Sequence, residues 1–326
     1  MKLPHRRKFL HLAAGAAALP ALSRAARAQV YPSRPVRIIV GSPAGGQLDI
    51  IARLMGEWFS QRLGQPFVIE NRPGAGGNIG AEALVRAPAD GHTLLLASAT
   101  NAINATLYDS LSFNFIRDTK PVASINRIPI ALTVHPSFPA KTIRELIDHT
   151  RANPGKFNLA TPSKGTGPYM AAELFKMMTG LDIVLVPYRG DAQALTDLLG
   201  GEVQAAFNGV SASIAHIKAG KLRALAVGTA LRMEELADIP TLGESVPGYE
   251  ASGWCGIVAP KNTPAEIIDR INKENNAGLA DPNIKARLAD LGVTTLALSP
   301  ADFGKLIGDE TEKWGKVVKF ASIKAE

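Results

Sequence analysis

The chain has 326 residues, 46% hydrophobic and 20% charged, with 36 basic against 29 acidic residues for a formal +7. The excess sits in the first 28 residues, which hold six basic and no acidic residues; the other 298 carry +1 and give no reason to expect nucleic acid or anionic lipid as a partner. One cysteine excludes an intramolecular disulfide, and no segment beyond the leader is long and apolar enough to span a membrane.

Residues 1–28 read as an export leader. Arg6, Arg7 and Lys8 precede an apolar stretch from Phe9 to Leu22, too short to cross a bilayer, and Ala26-Arg27-Ala28 predicts cleavage before Gln29. The run His5 to Leu10 resembles a twin-arginine signal, although Ser or Thr before the arginines and Lys after the leucine are missing. A periplasmic location follows.

From Val36 onward, short β-rich runs alternate with amphipathic helices, the pattern of an α/β protein whose mostly parallel sheets are flanked by helices. Val36 to Val40 predicts a strand, Leu48, Ile51, Leu54, Met55 and Trp58 one face of a helix stopping at Gly64, and Phe67 to Glu70 a second strand. A glycine-rich turn around Pro73 to Gly77, a helix near Ile79 to Arg86 and a strand from Thr93 to Ala97 complete the first set of units.

The pattern changes near Pro121 to Ile130, and a second set begins with the strand Ala131 to Val134 and a helix opened by the capping box Thr142-Ile143-Arg144-Glu145. Strand and helix pairs follow at Phe157 to Thr161 with Tyr169 to Thr179, Ile183 to Val186 with Ala192 to Leu199, and Val203 to Phe207 with Ser211 to Ala219; Leu222 to Val227 closes the set. Thr263-Pro264, Asp281-Pro282 and Ser299-Pro300 each start a helix. The last carries an apolar stripe of Phe303, Leu306, Ile307, Trp314, Val317 and Val318, expected to dock on the first lobe. The strand patterns place residues 29–126 and 252–326 in lobe 1 and 127–251 in lobe 2, each large enough for its own core, with hinges between Ser124 and Pro129 and near Ala251 to Gly253.

Two segments set a glycine-rich loop between a strand and a helix: Gly41-Ser42-Pro43-Ala44-Gly45-Gly46-Gln47 and Thr161-Pro162-Ser163-Lys164-Gly165-Thr166-Gly167. Unpaired backbone N–H groups and the positive helix end make such a loop an anion site. Each reads equally as a tight βα turn; one in each lobe, at the carboxyl ends of strands, they form a clamp across a ligand cleft. Further candidates are Ser98, Thr100 and Asn101 after one strand, Asn208 after another, and the turn Tyr188-Arg189-Gly190-Asp191. Asp49 falls in the first turn of a helix, where the dipole favours a carboxylate, so a structural role competes with ligand contact.

These segments carry a resemblance. Tyr31 to Val40, Gly45 to Asp49 with Ala52 and Arg53, Val68 to Gly77 and Ala89 to Gly91 are similar to the substrate-binding family of tripartite tricarboxylate transporters, the Bug receptors. Val186 to Gly190, Leu195 to Gly201, His216 to Val227 and Pro240-Thr241 extend it in order over nearly the whole mature chain. It implies a two-lobed periplasmic-binding-protein fold, type II, closing like a Venus flytrap on a small carboxylate, a di- or tricarboxylate or an aromatic acid. Backbone amides, hydroxyls and water at the two loops would hold the acid, which passes to a membrane permease; a sensor kinase is the alternative partner. A monomer without cofactor or metal is expected. Three departures bear on ligand identity: Gly41-Ser42-Pro43-Ala44 replaces Pro-Phe-Pro-Pro, Lys164 and Gly167-Pro168-Tyr169 stand where polar residues and His are usual, and Asn208 replaces a common Asp. Lys164 reads either as a charge for an acidic ligand or as a solvated loop lysine.

Enzymatic readings are weaker. Gly74, Gly76 and Gly80 approach a dinucleotide fingerprint of a nicotinamide-dependent oxidoreductase, but Asn71-Arg72-Pro73 separates them from their strand and no carboxylate ends the next one. Neither G-x-S-x-G nor a P-loop occurs, His92, His135, His149 and His216 lack metal-like spacing, and Cys255 reads as a buried thiol in a strand.

Overall fold

The computed structural model describes residues 31–108 and 110–324, so the leader and its cleavage site lie outside the described residues. Strand β1 (Val36–Val40) pairs in parallel with β2 (Phe67–Asn71) on one side and β3 (Thr93–Ser98) on the other. Its near-continuous apolar run is that of a strand covered on both faces. Ile38 and Val40 pack with Ile51, Met55 and Phe59 of α1 (Gln47–Leu63), and Ile39 turns to Ala81 and Leu84 of α2 (Asn78–Val85) on the opposite face. Helix α1 stops where expected: Gly64 takes a left-handed φ of 77° and donates its N–H to the Ser60 carbonyl.

After β3, where the sequence marks only the polar candidates Ser98, Thr100 and Asn101, the chain forms a helix, α3 (Ala99–Leu107), followed by the single turn α4 (Phe115–Asp118). The Asn101 side-chain oxygen accepts the Ser98 N–H at 2.9 Å, an asparagine version of the reciprocal cap usually made by Glu or Gln.

Strand β4 (Thr119–Val134) is the spine of the fold. Its first part runs antiparallel to β9 (Ser252–Pro260) as far as the pair Pro129 and Ser252; from Ile130 it pairs instead with β7 (Ala205–Gly209), and from Ala131 with β8 (Arg223–Val227) on its other edge. Proline lacks the N–H that a ladder needs, and Pro129 falls where partners change, so the strand continues through a residue that in sequence reads as a break. The chain recrosses at Ala251, whose N–H donates to Gly228 O at 2.8 Å, while Gly228 N–H donates to Ile130 O at 2.7 Å.

In the second half, β5 (Asn158–Thr161) pairs in parallel with β6 (Val184–Pro187) and β7. The full order is β2-β1-β3-β9-β4-β7-β5-β6, with β8 and the short β10 (Thr294–Thr295) also on β4, so each half joins three parallel strands to antiparallel ones. One face carries α6 (Gly167–Thr179), whose Met170 and Phe175 share a core with Leu132 and Phe207. The other face carries α7 (Asp191–Gly200) over Ala160 and Ala206, and α8 (Val210–Lys218) over Ala131 and Val227. Helix α5 (Ile143–Ala152) opens as predicted, Thr142 Oγ1 accepting the Glu145 N–H.

Three helices end the chain: α9 (Ala265–Ala280), α10 (Pro282–Asp290) and α11 (Pro300–Ala321). The stripe of α11 docks on α3 and β4 as expected, but also on α6 of the other half. Phe303 and Trp314 lie in one apolar cluster with Trp254, Phe175 and Phe207, so beside clusters confined to one half a shared one forms, and α11 seals it across the seam. No helix among the described residues is long and apolar enough to cross a membrane.

Candidate functional site

Two cavities adjoin at the carboxyl ends of β1, β3 and β5. The first, about 400 Å³, is lined by Ser42, Pro73, Gly76, Ser98, Thr100 and Asn101. The second, about 310 Å³, shares Gly76 and Thr100 with it and adds Asn104, Tyr108, Lys164, Gly165 and Thr166. Together they form one cleft with walls from both halves of the sheet. A larger cavity, about 490 Å³, lies beside β10 and residues 229–235. Of its cations Arg127, Arg232 and Lys285, the two arginines are paired with Glu250 and Glu244, Glu234 and Glu235 also line it, and it holds no strand end of the parallel set, so the two-part cleft is the better ligand site.

The first wall is built by backbone contact. The end of β1 meets the Gly74–Gly77 turn so closely that a Cβ on Gly41 would lie 2.8 Å from the Gly77 Cα. Asn104 of α3 donates to Gly76 O at 3.0 Å and to Asn78 Oδ1 at 3.1 Å, fixing the turn to the helix that follows β3. The turn, absent from the ligand-binding candidates read in the sequence, is thus part of the wall. Ser42 Oγ is buried without a hydrogen-bond partner among the described residues.

Asp49 does not face the cleft. It is buried, with Oδ2 accepting from Gly45 N at 2.9 Å and Arg53 Nε at 2.9 Å, and Oδ1 accepting from Asn71 Nδ2 at 3.0 Å. Asn71 also donates to Ser42 O at 3.1 Å. Above all the Arg53 hydrogen bond, then those from Gly45 and Asn71, hold the Asp49 carboxyl down at about 2 against the cost of burial. The carboxylate shapes the first loop from behind, which makes Asp49 a positioning residue. Gln47 donates to Leu291 O at 2.9 Å, and Ala44, Gly45 and Gly46 are exposed and line neither cavity.

In the second loop, Lys164, Gly165 and Thr166 line the cleft, whereas the Ser163 hydroxyl donates to Tyr188 O at 3.2 Å. Thr166 Oγ1 donates to Ser163 O at 2.7 Å, leaving the start of α6 without a side-chain cap. Thr161 is buried with Oγ1 unpartnered among the described residues. The turn Tyr188-Arg189-Gly190-Asp191 lines neither cavity. The Tyr188 hydroxyl donates to Asp197 at 2.7 Å, and burial with that bond raises it to about 12. Arg189 is exposed, and its backbone N–H donates to Gln193 Oε1 at 3.3 Å. Asp191 accepts the Gly209 N–H at 3.3 Å, and burial pushes its carboxyl up. Asn208, opposite Ala131 in the sheet, is fully buried with both amide atoms unpartnered among the described residues.

The two halves touch at the edge of the cleft and again at a separate small cavity lined by Ser211 and Gly292. A Cβ on Gly165 would lie 3.1 Å from Leu107 Cδ2 of α3, and one on Gly292 would lie 2.3 Å from the Cβ of Ser211 in α8. Cys255 is buried, its thiol donating to Asn126 and pushed up by desolvation, and no group of three His, Cys, Asp or Glu side chains among the described residues is placed to hold a metal.

The model of the tripartite tricarboxylate transporter family receptor matches residues 51–323. The chain is 35% identical over 300 residues to the protein BugT of Bordetella pertussis, covering 91% of this chain and 92% of that one. Among solved structures, R. palustris Rpa4515 with adipate is 36% identical, with a TM-score of 0.74 and coverage of 90% and 99%. MatC from Rhodopseudomonas palustris with bound malate is 29% identical, with a TM-score of 0.71 and coverage of 88% and 100%.

Proposed function

The chain belongs to the tripartite tricarboxylate transporter receptor family, and we propose that it is an exported, non-catalytic receptor that closes its two lobes on a small carboxylate and delivers it to a membrane permease. The observation that carries this reading is the cleft in which neutral loop groups of both halves meet at Gly76 and Thr100, with lysine and no carboxylate among its described lining residues. Such a lining suits an anion held by backbone N–H groups, hydroxyls and the positive ends of helices. Adipate and malate in the two R. palustris proteins support the ligand class. We assign residues 29–126 and 252–326 to lobe 1 and 127–251 to lobe 2, in line with the exchange of strand partners at Pro129 and Ile130 and the return at Ala251 and Ser252.

The test is a thermal-shift screen of the mature protein against di- and tricarboxylates, aromatic acids, amino acids and nicotinamide cofactors. A melting temperature that rises with one group of carboxylates supports the reading and names the class. A shift with a nicotinamide cofactor and none with any acid refutes it.

A further inference from the structure

The charged groups lining the cleft, among the described residues, are Lys164 from the second loop and Lys324, which follows the last helix. Lys324 is placed by local backbone geometry. After α11 the chain turns back at Ser322, whose φ of 50° lies in the left-handed region; its N–H donates to Lys319 O at 3.3 Å and the Ile323 N–H to Val318 O at 3.1 Å. This pair of reversed bonds is a Schellman motif, and Ile323, at the position where an apolar contact usually accompanies it, packs against the central core. The next residue, Lys324, therefore emerges at the cleft beside Asn104, Tyr108, Gly165 and Thr166.

Ser in a conformation suited to glycine is strained, and strain of this kind gathers at ligand sites. Among the described residues, the non-glycine positions with positive φ are Ala75 and Ser322. Ala75 belongs to the turn that lines the first cavity, and Ser322 carries the cation into the second. Lys324 forms no hydrogen bond or ion pair with the described residues, so no carboxylate among them competes for its charge.

We propose that Lys324 is a specificity-determining residue: its ammonium pairs with the second acid group of a dicarboxylate whose first acid group is held by the loop amides. This rests on the carboxylate-receptor reading and sharpens it from any small acid to a two-headed one. A monocarboxylate fills the same loops and leaves Lys324 in solvent.

The experiment compares straight-chain dicarboxylates of four to eight carbons with monocarboxylates of equal length, by calorimetric titration into the wild type, Lys324→Gln and Lys324→Arg. The expected result is a wild-type preference for a dicarboxylate and a loss of about tenfold for that ligand in Lys324→Gln, the scale of one charge-assisted hydrogen bond. Lys324→Arg should recover most of it, monocarboxylate binding should not move, and the melting temperature without ligand should match the wild type. Equal affinity of wild type and Lys324→Gln for every dicarboxylate that binds overturns the role of Lys324 and leaves the receptor reading standing, as does an equal loss for mono- and dicarboxylates. A wild type that binds no carboxylate in the panel or in the thermal-shift screen refutes the reading beneath it, and the proposal with it.

Discussion

Replacing Gly292 by alanine separates backbone strain from closure of the cleft. Gly292 ends α10 with a φ of 69°, and an added Cβ would lie 2.3 Å from Ser211 Cβ and 2.8 Å from Ser211 Cα, both on the opposite half. Carbon atoms rest at about 3.5–4.0 Å, so the overlap with the Ser211 Cβ exceeds about 1 Å, and no rotamer change moves that atom or the Cα behind it. Gly201 is the matched control: its φ is 78°, and nothing lies within 4 Å of an added Cβ. Alanine there pays only for the left-handed conformation, about 1 kcal/mol. Gly201→Ala should therefore lose about that much in urea denaturation and bind carboxylate like the wild type. Gly292→Ala should add a larger radius of gyration in solution scattering with ligand present, and a loss of affinity of about tenfold or more. Ser211→Gly, which removes the nearer of the two clashing atoms, should restore part of it. If the two alanine variants lose equal stability and bind equally well, contact between Ser211 and Gly292 is no part of the ligand-bound arrangement.

Asp49→Asn tests the loop staple through pH. The folded carboxyl titrates at about 2 against an ordinary 3.8, so its stabilisation is complete above about pH 4 and is lost as pH falls through 2. With Arg53 half exposed, this amounts to about 1–2 kcal/mol, and the deficit of the asparagine variant in urea denaturation should be present at pH 7 and shrink towards pH 2. Asn208→Leu removes two buried, unpartnered amide atoms at similar volume and should leave stability unchanged or raise it by about 1 kcal/mol; a large loss would mean that the amide has a partner in solution. Gly46→Asp and Thr166→Asp each put a carboxylate at the start of a cleft helix, where folding tolerates it. Both should weaken carboxylate binding at unchanged melting temperature, Thr166→Asp the more, and a reversed order in titration would mean that the start of α1, not of α6, holds the acid.

Most of the alternation of strand and helix is legible in the sequence, because strands covered on both faces read as apolar runs and the helices carry their own caps and stops. Strand β4 is not, since Pro129 is permitted there only by an exchange of partners that happens in three dimensions. Helix α3 escapes notice because Asn101 and Asn104 are weak helix formers and its cap uses Asn rather than Glu. Its stability comes from packing on α11, about two hundred residues later in the chain. Within the site, Ser42, Ser98, Thr100, Asn101 and the Lys164 to Thr166 stretch are found where strand ends and glycine loops point, whereas Tyr188, Asp191 and Asn208 satisfy the same rule and line neither cavity. For Asn208 the alternation of the strand explains it: Phe207 faces the core under α6, so its neighbour faces α7 and α8. Lys324 has no local signal at all, because a Schellman turn on serine brings it to the site.

The two glycine-rich loops are unequal partners for an anion. Helix α1 carries an acid in its first turn, and Asp49 already takes the Gly45 N–H, so the protein's own carboxylate occupies one of the donors the loop offers. It also places negative charge behind the positive helix end and cancels part of its field. Helix α6 carries no acid in its first turn, and Thr166, the residue before it, turns its hydroxyl back to Ser163 instead of capping the helix. Pro168 removes one donor there, but the remaining field of α6 is uncancelled, and Lys164 and Lys324 stand on the same cavity. Free energy for a carboxylate therefore falls towards the α6 side of the cleft, while the α1 side supplies shape through Ser42, Ser98 and the Gly74–Gly77 turn. An acid bound on α6 draws the first wall over it through neutral contacts, which is why a charge introduced at Thr166 should cost more binding than the same charge at Gly46.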